Sequence, residues 1–507
     1  MSRPGLVLTV DDRTRAFAVP SGESLRSVAL PVGSRVVYPP EAVATLTDPL
    51  RAVADALAAP LGSEPLAARL HPGLRLTVTV EGVTRPWPLA AAPDPRGRVV
   101  EAVLTLAAAA GVDDVAVVVA TGLGRRLLPA ERTALLGERV SRSFGPLGRL
   151  TDHDAGDPMG PVSVGTTDAG DDVELDHRVA ESDLLVRVGV ATSPADSGPA
   201  AVPRTLGSTA TAVRCEDPVA AAAAGAVAVA AVPTFAVELV LEDLPAGGRA
   251  GFLSTREWEW SLREQVSARV TRGLFPRLPG RLRGQLVAQV RGGRRLVGVT
   301  AGEPAAVATA TAATLARQQQ VPVHGQADVV VLGVPAVGPY NAGAPLNPVL
   351  AASLALDTLL GAHTGTPLVR PGGVALLLHP LTPAFSQVQH PAYADFYTEV
   401  LAADLDAAGW AVARDRYATD PWYRELHSTS HAYPGVHPFL LWQRMAALRE
   451  SLGDVVWVGA DRTAAGRVGG RAATTLPDAL EIAAATVGRD PSITLLHSPP
   501  RLTADVS

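Results

Sequence analysis

The sequence predicts an α/β fold of two domains with a ligand cleft between them. Runs of small and β-branched apolar residues, typical of parallel strands buried on both faces, alternate with helical patterns along most of the 507 residues. The alternation breaks once, over residues 245–293, and a second series of strands and helices begins after residue 300. We therefore expect an N-terminal domain over residues 1–300, with an insertion at about 245–293, and a C-terminal domain over residues 301–507.

The first domain should begin with strands or a hairpin over residues 1–40, where apolar and polar residues alternate. Residues 191–214 are rich in Pro, Ser, Gly and Thr and predict a loop, and the alanine-rich stretch after them predicts a buried helix. Periodicity predicts the other elements. These are helices over 48–61 and 98–110, strands over 74–80, 115–120, 184–190 and 235–241, and a hairpin over 160–175.

The insertion contains a candidate amphipathic helix, residues 255–272, followed by a segment rich in Arg, Gly and Pro. Because arginines alternate with apolar residues in this segment, we interpret it as a solvated insertion packed on the surface. An acidic partner or an oligomer contact is the alternative. Trp258 and Trp260 are expected to pack this insertion rather than to bind a ligand.

The second domain should open with an Ala/Thr-rich helix over residues 303–320, which we interpret as a connector between the domains. A Pro371-Gly372-Gly373 turn leads into one of the strands that follow. The remaining predicted elements are strands over 327–333, 374–379, 455–458 and 492–496, and helices over 346–360, 440–452 and 476–487.

Composition narrows the class of protein. The net charge of −6 provides no broad basic field and argues against nucleic acid as a partner. No apolar run is long enough to span a bilayer, and the first residues lack the apolar core of a signal peptide, so we expect a cytoplasmic protein without membrane contact. Cys215 is the only cysteine, which excludes an intrachain disulfide. The chain contains no lysine, so all 44 of its Lys and Arg positions are arginine.

The stretch from Val115 to Arg132 predicts a strand, a Gly-rich turn and a helix in succession. The turn, Thr121-Gly122-Leu123-Gly124, follows the carboxyl end of the strand. Exposed amides at such a turn favour an anion, and open α/β sheets bind their ligands at that edge. The sequence therefore indicates an anion site here, although a Gly-containing turn is more often only a connection.

Short motifs follow one another in a fixed order along the chain. Thr84-Arg85-Pro86 follows one strand, Ala120-Thr121-Gly122 follows the next, and Asp152-His153-Asp154 forms an acidic turn. The second half adds an ADVVV strand, a PGG turn and a late TLPDALEIA helix. In order and spacing these motifs resemble the nickel-dependent lactate racemase family over most of the chain, apart from about fifty residues around 245–293.

This resemblance implies a two-domain α/β protein whose site lies in the cleft. Members of the family racemise or epimerise α-hydroxy acids. They use a nickel pincer nucleotide, usually tethered to a lysine, and two histidines that act as acid and base during a reversible hydride transfer. If this chain is active, the resemblance implies an isomerase acting on hydroxy acids.

The family pattern is only partly retained in the first domain. Gly82 stands where the family has an aspartate, and Gly124 stands where it has the first catalytic histidine. The loop of the second histidine falls on residues 193–203, which contain no histidine and no glycine pair. The tethering lysine falls near Arg204, and the histidine ligand of nickel falls near 214–220, which offers Cys215 only. The retained residues that we expect at a cofactor or substrate site are Thr84, Arg85, Thr121 and Gly122, with Gly124 and Arg204 at the altered positions.

In the second domain, the family's substrate-contacting polar residues should lie near 341–350, where Asn347 is the only comparable group. Trp442 is the counterpart of a tryptophan that closes the family's cleft. No covalent cofactor is expected, since arginine stays protonated and cannot replace the amine of a lysine. Loss of both histidines removes groups that each contribute on the order of 10²–10⁴ in rate.

Three hypotheses remain open. The first is a divergent family member that binds an anionic small molecule, an α-hydroxy acid or a nucleotide, with altered or absent catalysis. The second is an active racemase or epimerase with a non-covalently bound nickel cofactor and acid/base groups from the C-terminal histidines. The third is a non-enzymatic assembly protein that forms a homo-oligomer through the insertion.

Other candidate residues carry weaker signals. His427 and His431 are spaced to share a helix face and could bind a metal, but exposed loop histidines are the commoner explanation. Asp152-His153-Asp154 is more consistent with a hydrogen-bonded turn than with an acid/base site. Ser193 and Ser197 lack the context of a nucleophile.

Overall fold

A computed structural model describes residues 6–82, 90, 92–243, 256–274, 278, 293–336, 346–403, 405–498 and 501–507. Two mainly parallel sheets with helices packed on them confirm the α/β fold. In this part of the chain, no helix is long and apolar enough to cross a membrane.

The first sheet has six strands. Five are parallel, and the strand at one edge runs antiparallel to its neighbour. Most of its residues are buried on both faces, as the continuous apolar runs predicted. In spatial order the strands are Leu296–Gly302, Thr234–Leu241, Leu184–Val190, Arg75–Glu81, Asp114–Ala120 and Leu150–Asp152.

The second sheet has seven strands, and again only one edge strand is antiparallel. Two strands from the start of the chain lie on one side of it. In spatial order the strands are Val7–Thr9, Arg35–Val37, Ile493–Leu496, Ala327–Gly333, Val369–Leu378, Asp454–Val458 and Arg471–Ala473.

Three smaller sheets complete the strand pairing of the described residues. Gln320–Val323 and His363–Gly365 flank Thr503–Val506 in a parallel three-stranded sheet. Two antiparallel hairpins consist of Phe17–Ser21 with Ser24–Val28, and of Pro161–Thr166 with Asp172–Asp176.

Asp–Pro pairs start several helices. Asp48, Asp94, Asp217 and Asp420 each accept a hydrogen bond from a backbone amide of the first turn, and proline follows each of them. The α-helices are Pro49–Ala58, Leu66–Arg69, Pro95–Ala109, Pro129–Phe144, His177–Ala180, Ala201–Leu206, Thr209–Arg214, Pro218–Ala231, Leu262–Leu274, Pro304–Gln319, Pro348–Ser353, Pro391–Asp395, Ala407–Thr419, Pro421–Ser430, His437–Arg444, Ala446–Ser451, Arg462–Arg467 and Leu476–Val487. Short 3₁₀ turns occupy Pro194–Asp196 and Glu257–Glu259, and π-helical turns occupy Leu354–Leu360 and Phe396–Val400.

One of the predicted elements is wrong. Residues 191–214 contain the helices Ala201–Leu206 and Thr209–Arg214 instead of a loop, because Ser208 caps the second helix and apolar side chains of the first are buried. The helix predicted over 303–320 is confirmed as Pro304–Gln319, and it packs on the strands Thr234–Leu241 and Leu296–Gly302 of the six-stranded sheet. Its role as a connector between domains remains a prediction. The sequence also missed the final strand, Thr503–Val506.

The two large sheets do not divide the chain at a single point. Val7–Thr9 and Arg35–Val37 pair in the seven-stranded sheet, whose other strands all come after residue 326. Thus residues 1–40, expected in the first domain, contribute to the second sheet. A boundary near residue 300 remains a proposal for the rest of the chain.

Candidate functional site

Segments that follow the carboxyl ends of one parallel strand in each large sheet are in contact. Thr192 follows the strand Leu184–Val190 of the six-stranded sheet, and Arg501 follows Ile493–Leu496 of the seven-stranded sheet. Arg501 Nη1 donates to the Thr192 carbonyl at 2.9 Å, and Gln319 Nε2 donates to the same oxygen at 3.2 Å. The boundary between these two edges is therefore the candidate cleft.

The described part of the insertion reaches from one sheet to elements of the other. Glu257 follows the six-stranded sheet's strand Thr234–Leu241 along the chain. Its carboxylate accepts hydrogen bonds from Ala18 N at 3.0 Å, Tyr38 Oη at 2.9 Å and His497 Nε2 at 2.8 Å. All three donors belong to elements around the seven-stranded sheet, so Glu257 anchors this part of the insertion there.

Aromatic rings surround that anchor. Trp258 packs edge-on against Tyr38 with ring centroids 5.0 Å apart, and His497 stacks on the opposite side at 4.6 Å. The Arg256 guanidinium lies 5.7 Å from both the Tyr38 and the Trp258 ring centroids. These contacts agree with the expectation that Trp258 packs the insertion.

The turn Thr121-Gly122 uses its polar groups within the protein. Thr121 Oγ1 donates to the His153 carbonyl at 2.8 Å, and Gly122 N donates to the Thr205 carbonyl at 3.0 Å. Gly124 N donates to the Thr121 carbonyl at 2.8 Å. These three donors are therefore already bonded, and an anion at this turn would need other groups.

Close packing explains the glycine at position 122. Gly122 has a φ of +53°, and a Cβ added there would lie 2.8 Å from the Arg204 carbonyl oxygen. Both the backbone conformation and the contact disfavour any other residue. The retained Ala-Thr-Gly motif is thus explained by packing without a ligand.

Two arginines after the turn pair with carboxylates. Arg125, fully buried, donates to both carboxylate oxygens of Glu131 at 2.7 and 2.6 Å. Arg126 Nη2 donates to Asp154 Oδ2 at 2.7 Å. Sequence reasoning missed both pairs, although an arginine six residues before a first-turn glutamate could have suggested one of them.

Histidines of the C-terminal helices approach the same turn. His427 Nε2 lies 3.6 Å from Asp154 Oδ1, and the Nδ1 of that ring hydrogen-bonds the Ala432 carbonyl at 2.9 Å. The Arg126 and His427 contacts hold the pKa of Asp154 well below its usual range, against the effect of burial. His431 ends the helix in the left-handed conformation, with a φ of 57°.

Further contacts join the two halves of the molecule around this turn. Leu123 packs in a small apolar cluster with Val436 and Leu440 of the C-terminal half. The Arg444 guanidinium donates to both carboxylate oxygens of Glu216. The predicted Gly124 position is therefore enclosed by an interface of apolar contacts and ion pairs.

The structure bears on the metal and acid/base hypotheses for these histidines. Across the described ranges, no three or more His, Cys, Asp or Glu side chains are grouped to hold a metal ion. His153 is buried between Asp176, 3.2 Å from its Nδ1, and the Gly207 carbonyl, 2.9 Å from its Nε2. This geometry agrees with the interpretation of Asp152-His153-Asp154 as a hydrogen-bonded turn.

Arg204, at the expected tether position, binds main-chain oxygens. Its Nη1 donates to the Ala195 carbonyl and its Nη2 to the Cys215 carbonyl, the latter at 3.2 Å. Cys215 is fully buried, and burial raises the pKa of its thiol to about 11. A protonated, enclosed thiol is a poor nucleophile and a poor metal ligand.

A buried ion pair lies inside the six-stranded sheet near the cleft. Arg187 and Glu238 on neighbouring strands are in direct contact, and Glu81 Oε2 lies 3.8 Å from Arg187 Nη2. Burial raises the pKa of Glu238, whereas the adjoining guanidinium favours its ionised form. A Cβ at Gly189 would lie 2.7 Å from Glu238 Oε2, so glycine there makes room for the pair.

Arg294 differs from the other buried arginines. It precedes the edge strand Leu296–Gly302, next to the carboxyl end of Thr234–Leu241, and its backbone pairs with that of Ala90. Only 4% of its surface is exposed, yet Nε and Nη1 have no hydrogen-bond partner. No sequence signal distinguished it from the neighbouring arginines.

The remaining predicted residues are dispersed. Thr84 and Arg85 lie outside the described residues. Asn347 is buried and caps the helix Pro348–Ser353 by accepting from Leu350 N at 3.0 Å, while its Nδ2 has no partner. Trp442 is buried among aromatic rings, stacked on Trp410 at 6.2 Å, and the Arg449 guanidinium lies 4.6 Å from its ring centroid. Roles for these four residues at a ligand site remain predictions.

Comparison with known proteins shows which proteins this chain is similar to. Residues 22–193 match the lactate racemase N-terminal domain. The lactate racemase apoprotein from Thermoanaerobacterium thermosaccharolyticum superposes with a TM-score of 0.59 at 15% identity, over 97% of this chain and 100% of that one. A Thermotoga maritima protein of known crystal structure gives a TM-score of 0.48 at 12% identity, over 87% of this chain and 96% of that one.

No protein with a curated description matches the sequence significantly. The structural likeness establishes the fold, and the match of residues 22–193 establishes the kinship of the N-terminal part. Together they confirm the resemblance that the motifs indicated: residues 22–193 match the lactate racemase N-terminal domain, and the chain has a fold similar to that of a lactate racemase.

Proposed function

We propose that this protein is a divergent lactate-racemase-like protein that binds an anionic small molecule, an α-hydroxy acid or a nucleotide, in the cleft between its two large sheets. The observation that carries the proposal is the Arg501–Thr192 hydrogen bond, because it joins the carboxyl edges of both sheets. Ligands of open α/β sheets bind outside those edges. Arginine at the same boundary favours an anion.

The residues at the tether position do not fit a covalently bound nickel pincer nucleotide. Arg204 stands where the family has lysine, and its guanidinium is bonded to the Ala195 and Cys215 carbonyls. A guanidinium stays protonated and cannot form the tether that a neutral amine forms. No step of the proposed function therefore passes through that cofactor.

An active α-hydroxy acid racemase or epimerase with a non-covalently held nickel cofactor is the second candidate. It is favoured by the position of His427, whose Nε2 lies 3.6 Å from Asp154 Oδ1 beside the turn that contains Gly124. A proton-transferring side chain from the C-terminal half thus approaches the place of the family's first catalytic histidine. Nickel content and isomerase activity of the purified protein separate this candidate from the first.

A non-enzymatic assembly protein is the third candidate. Leu262, Val266 and Val270 are exposed at spacings of four residues along the helix Leu262–Leu274 of the insertion. A homo-oligomer that buries this stripe should dissociate in the Val266→Glu variant, as measured by light scattering. Unchanged mass would remove this support for assembly through the insertion.

The first candidate is tested by the small molecule that accompanies the protein. We expect the protein to be cytoplasmic. Native mass spectrometry of the protein, purified from its own host, should reveal a bound anion. Thermal-shift titrations with lactate, malate, gluconate, AMP and phosphate should identify its chemical class. Failure of every anion to stabilise the protein at millimolar concentration would contradict the proposal.

A further inference from the structure

Arg294 is a buried cation near the candidate cleft, and two of its three side-chain nitrogens have no hydrogen-bond partner. Its side chain is 96% removed from solvent, and both Nε and Nη1 are fully enclosed without an acceptor among the described residues. Burying a charged group is costly unless hydrogen bonds and an opposite charge compensate it. Such an unsatisfied group points to a missing acceptor, such as a ligand.

Three other deeply buried arginines of the same sheet region are each paired with a carboxylate. Arg96 donates to both oxygens of Asp94 at 3.0 and 2.7 Å, and Arg125 donates to both oxygens of Glu131. Arg187 is in contact with Glu238. Because the fold pairs these three arginines directly with carboxylates, the lack of such a pair at Arg294 is a local property of this edge.

The neighbouring carboxylates Glu242 and Asp243 favour the charged form of Arg294 without a hydrogen bond to it. Glu242 accepts from Arg295 through its backbone amide at 3.0 Å and its Nε at 3.2 Å, so it is already engaged. Glu242 and Asp243 attract the Arg294 guanidinium at longer range. Burial lowers the pKa of Arg294 to about 10, which leaves the side chain charged at neutral pH.

We propose that Arg294 binds the acidic group of the cleft ligand, a carboxylate or a phosphate. This inference rests on the proposed anion-binding function and names the residue that recognises the anion. Planar oxyanions match the donors of a guanidinium, and such charge-assisted bonds are shorter and stronger than neutral ones. Ser193, which follows the end of the strand Leu184–Val190, adds a buried hydroxyl without a partner at the same edge.

The test compares Arg294→Gln with Arg295→Gln. The two arginines are adjacent, but Arg295 is half-exposed and already paired with Glu242. A hydrogen bond to a charged group contributes about 1.5–3 kcal/mol, and 1.4 kcal/mol is about tenfold in affinity. Arg294→Gln should therefore weaken binding of the anion that stabilises the wild type by about tenfold or more, whereas Arg295→Gln should change it less than about twofold.

Inorganic phosphate and lactate serve as separate probes, so the titrations distinguish a phosphate from a carboxylate ligand. Equal affinity of Arg294→Gln and wild type would overturn the role of Arg294 while leaving anion binding intact. No response of the wild type to phosphate, AMP or any hydroxy acid would instead overturn the proposed function.

A measurement on the wild-type protein tests the role of Arg294 even if the Arg294→Gln variant does not fold. Hydrogen exchange of the backbone amides around residues 293–297 should slow when the stabilising anion is added, because the ligand holds Arg294 in place. Unchanged exchange there at saturating anion, with protection elsewhere, would place the anion at another site and overturn the assignment.

Discussion

Replacement of Glu257 by glutamine should release the insertion from the seven-stranded sheet. The carboxylate accepts three hydrogen bonds, from Ala18, Tyr38 and His497, and is largely buried. Hydrogen bonds to a charged group contribute about 1.5–3 kcal/mol each. Glutamine keeps one neutral acceptor oxygen. We therefore expect the free energy of local opening to fall by about 2 kcal/mol, which corresponds to an equilibrium constant for opening about 30-fold larger.

Hydrogen exchange followed by mass spectrometry measures this opening directly. Peptides that cover residues 16–28 and 256–271 should exchange faster in Glu257→Gln, while peptides from the core strand Ala327–Gly333 should not change. Glu259→Gln is the matched control, because Glu259 is an exposed residue of the same 3₁₀ turn. Equal exchange in the two variants would refute the view that Glu257 anchors the insertion.

The same anchor should weaken in acid. Hydrogen bonds and the neighbouring His497 lower the pKa of Glu257 to about 2, despite its burial. A carboxyl whose folded-state pKa is depressed stabilises the structure fully above its unfolded pKa, about 4.3, and loses this contribution as the pH falls toward 2. Protection of residues 256–271, corrected for intrinsic exchange, should therefore persist above about pH 5 and decline below it. Protection that is constant from pH 5 to 2 would contradict this assignment.

Three further predictions concern the altered family site. Arg85→Ala should lower the affinity for the stabilising anion by about tenfold or more in thermal-shift titrations, since a charge-assisted hydrogen bond contributes about 1.5–3 kcal/mol. An unchanged affinity would mean that the Thr84-Arg85-Pro86 motif has only a structural role. Co-expression with the enzymes that synthesise the nickel pincer nucleotide should yield no covalent adduct by intact mass, because the chain contains no lysine; a stable adduct with stoichiometric nickel would show that another residue forms the tether. Gly122→Ala should lower the melting temperature more than Gly148→Ala, because both glycines have positive φ but only position 122 places the new Cβ against a carbonyl oxygen; equal losses would show that backbone conformation alone requires Gly122.

The sequence determined much of the secondary structure of this protein. The strands Leu184–Val190 and Ala327–Gly333 and the helix Leu476–Val487 have the bounds that periodicity predicts. Their signals are local, since apolar runs buried on both faces and a Thr475 cap are visible within a short stretch of chain. The order of the motifs likewise sufficed to indicate the resemblance that the match of residues 22–193 and the fold confirm, because the spacing of motifs can be read along the chain.

Long-range pairing was decided only by the tertiary structure. Nothing within residues 1–40 indicates that Arg35–Val37 pairs with Ile493–Leu496, because a strand pattern specifies a buried face and not a partner. The helices within 191–214 were missed for a related reason. Their Pro, Ser and Gly content favours a loop locally, but burial of Val202 and Leu206 stabilises helices there.

For the site, the sequence suggested which positions differ from the family pattern, and the fold showed which contacts those residues make. The prediction that Gly124 and Arg204 depart from the family pattern rests on their positions in the sequence alone. Whether an arginine is paired depends on which carboxylates the fold brings within hydrogen-bond distance. Composition could not distinguish Arg294 from the paired Arg125, because burial and the absence of an acceptor arise only when distant strands meet at the cleft.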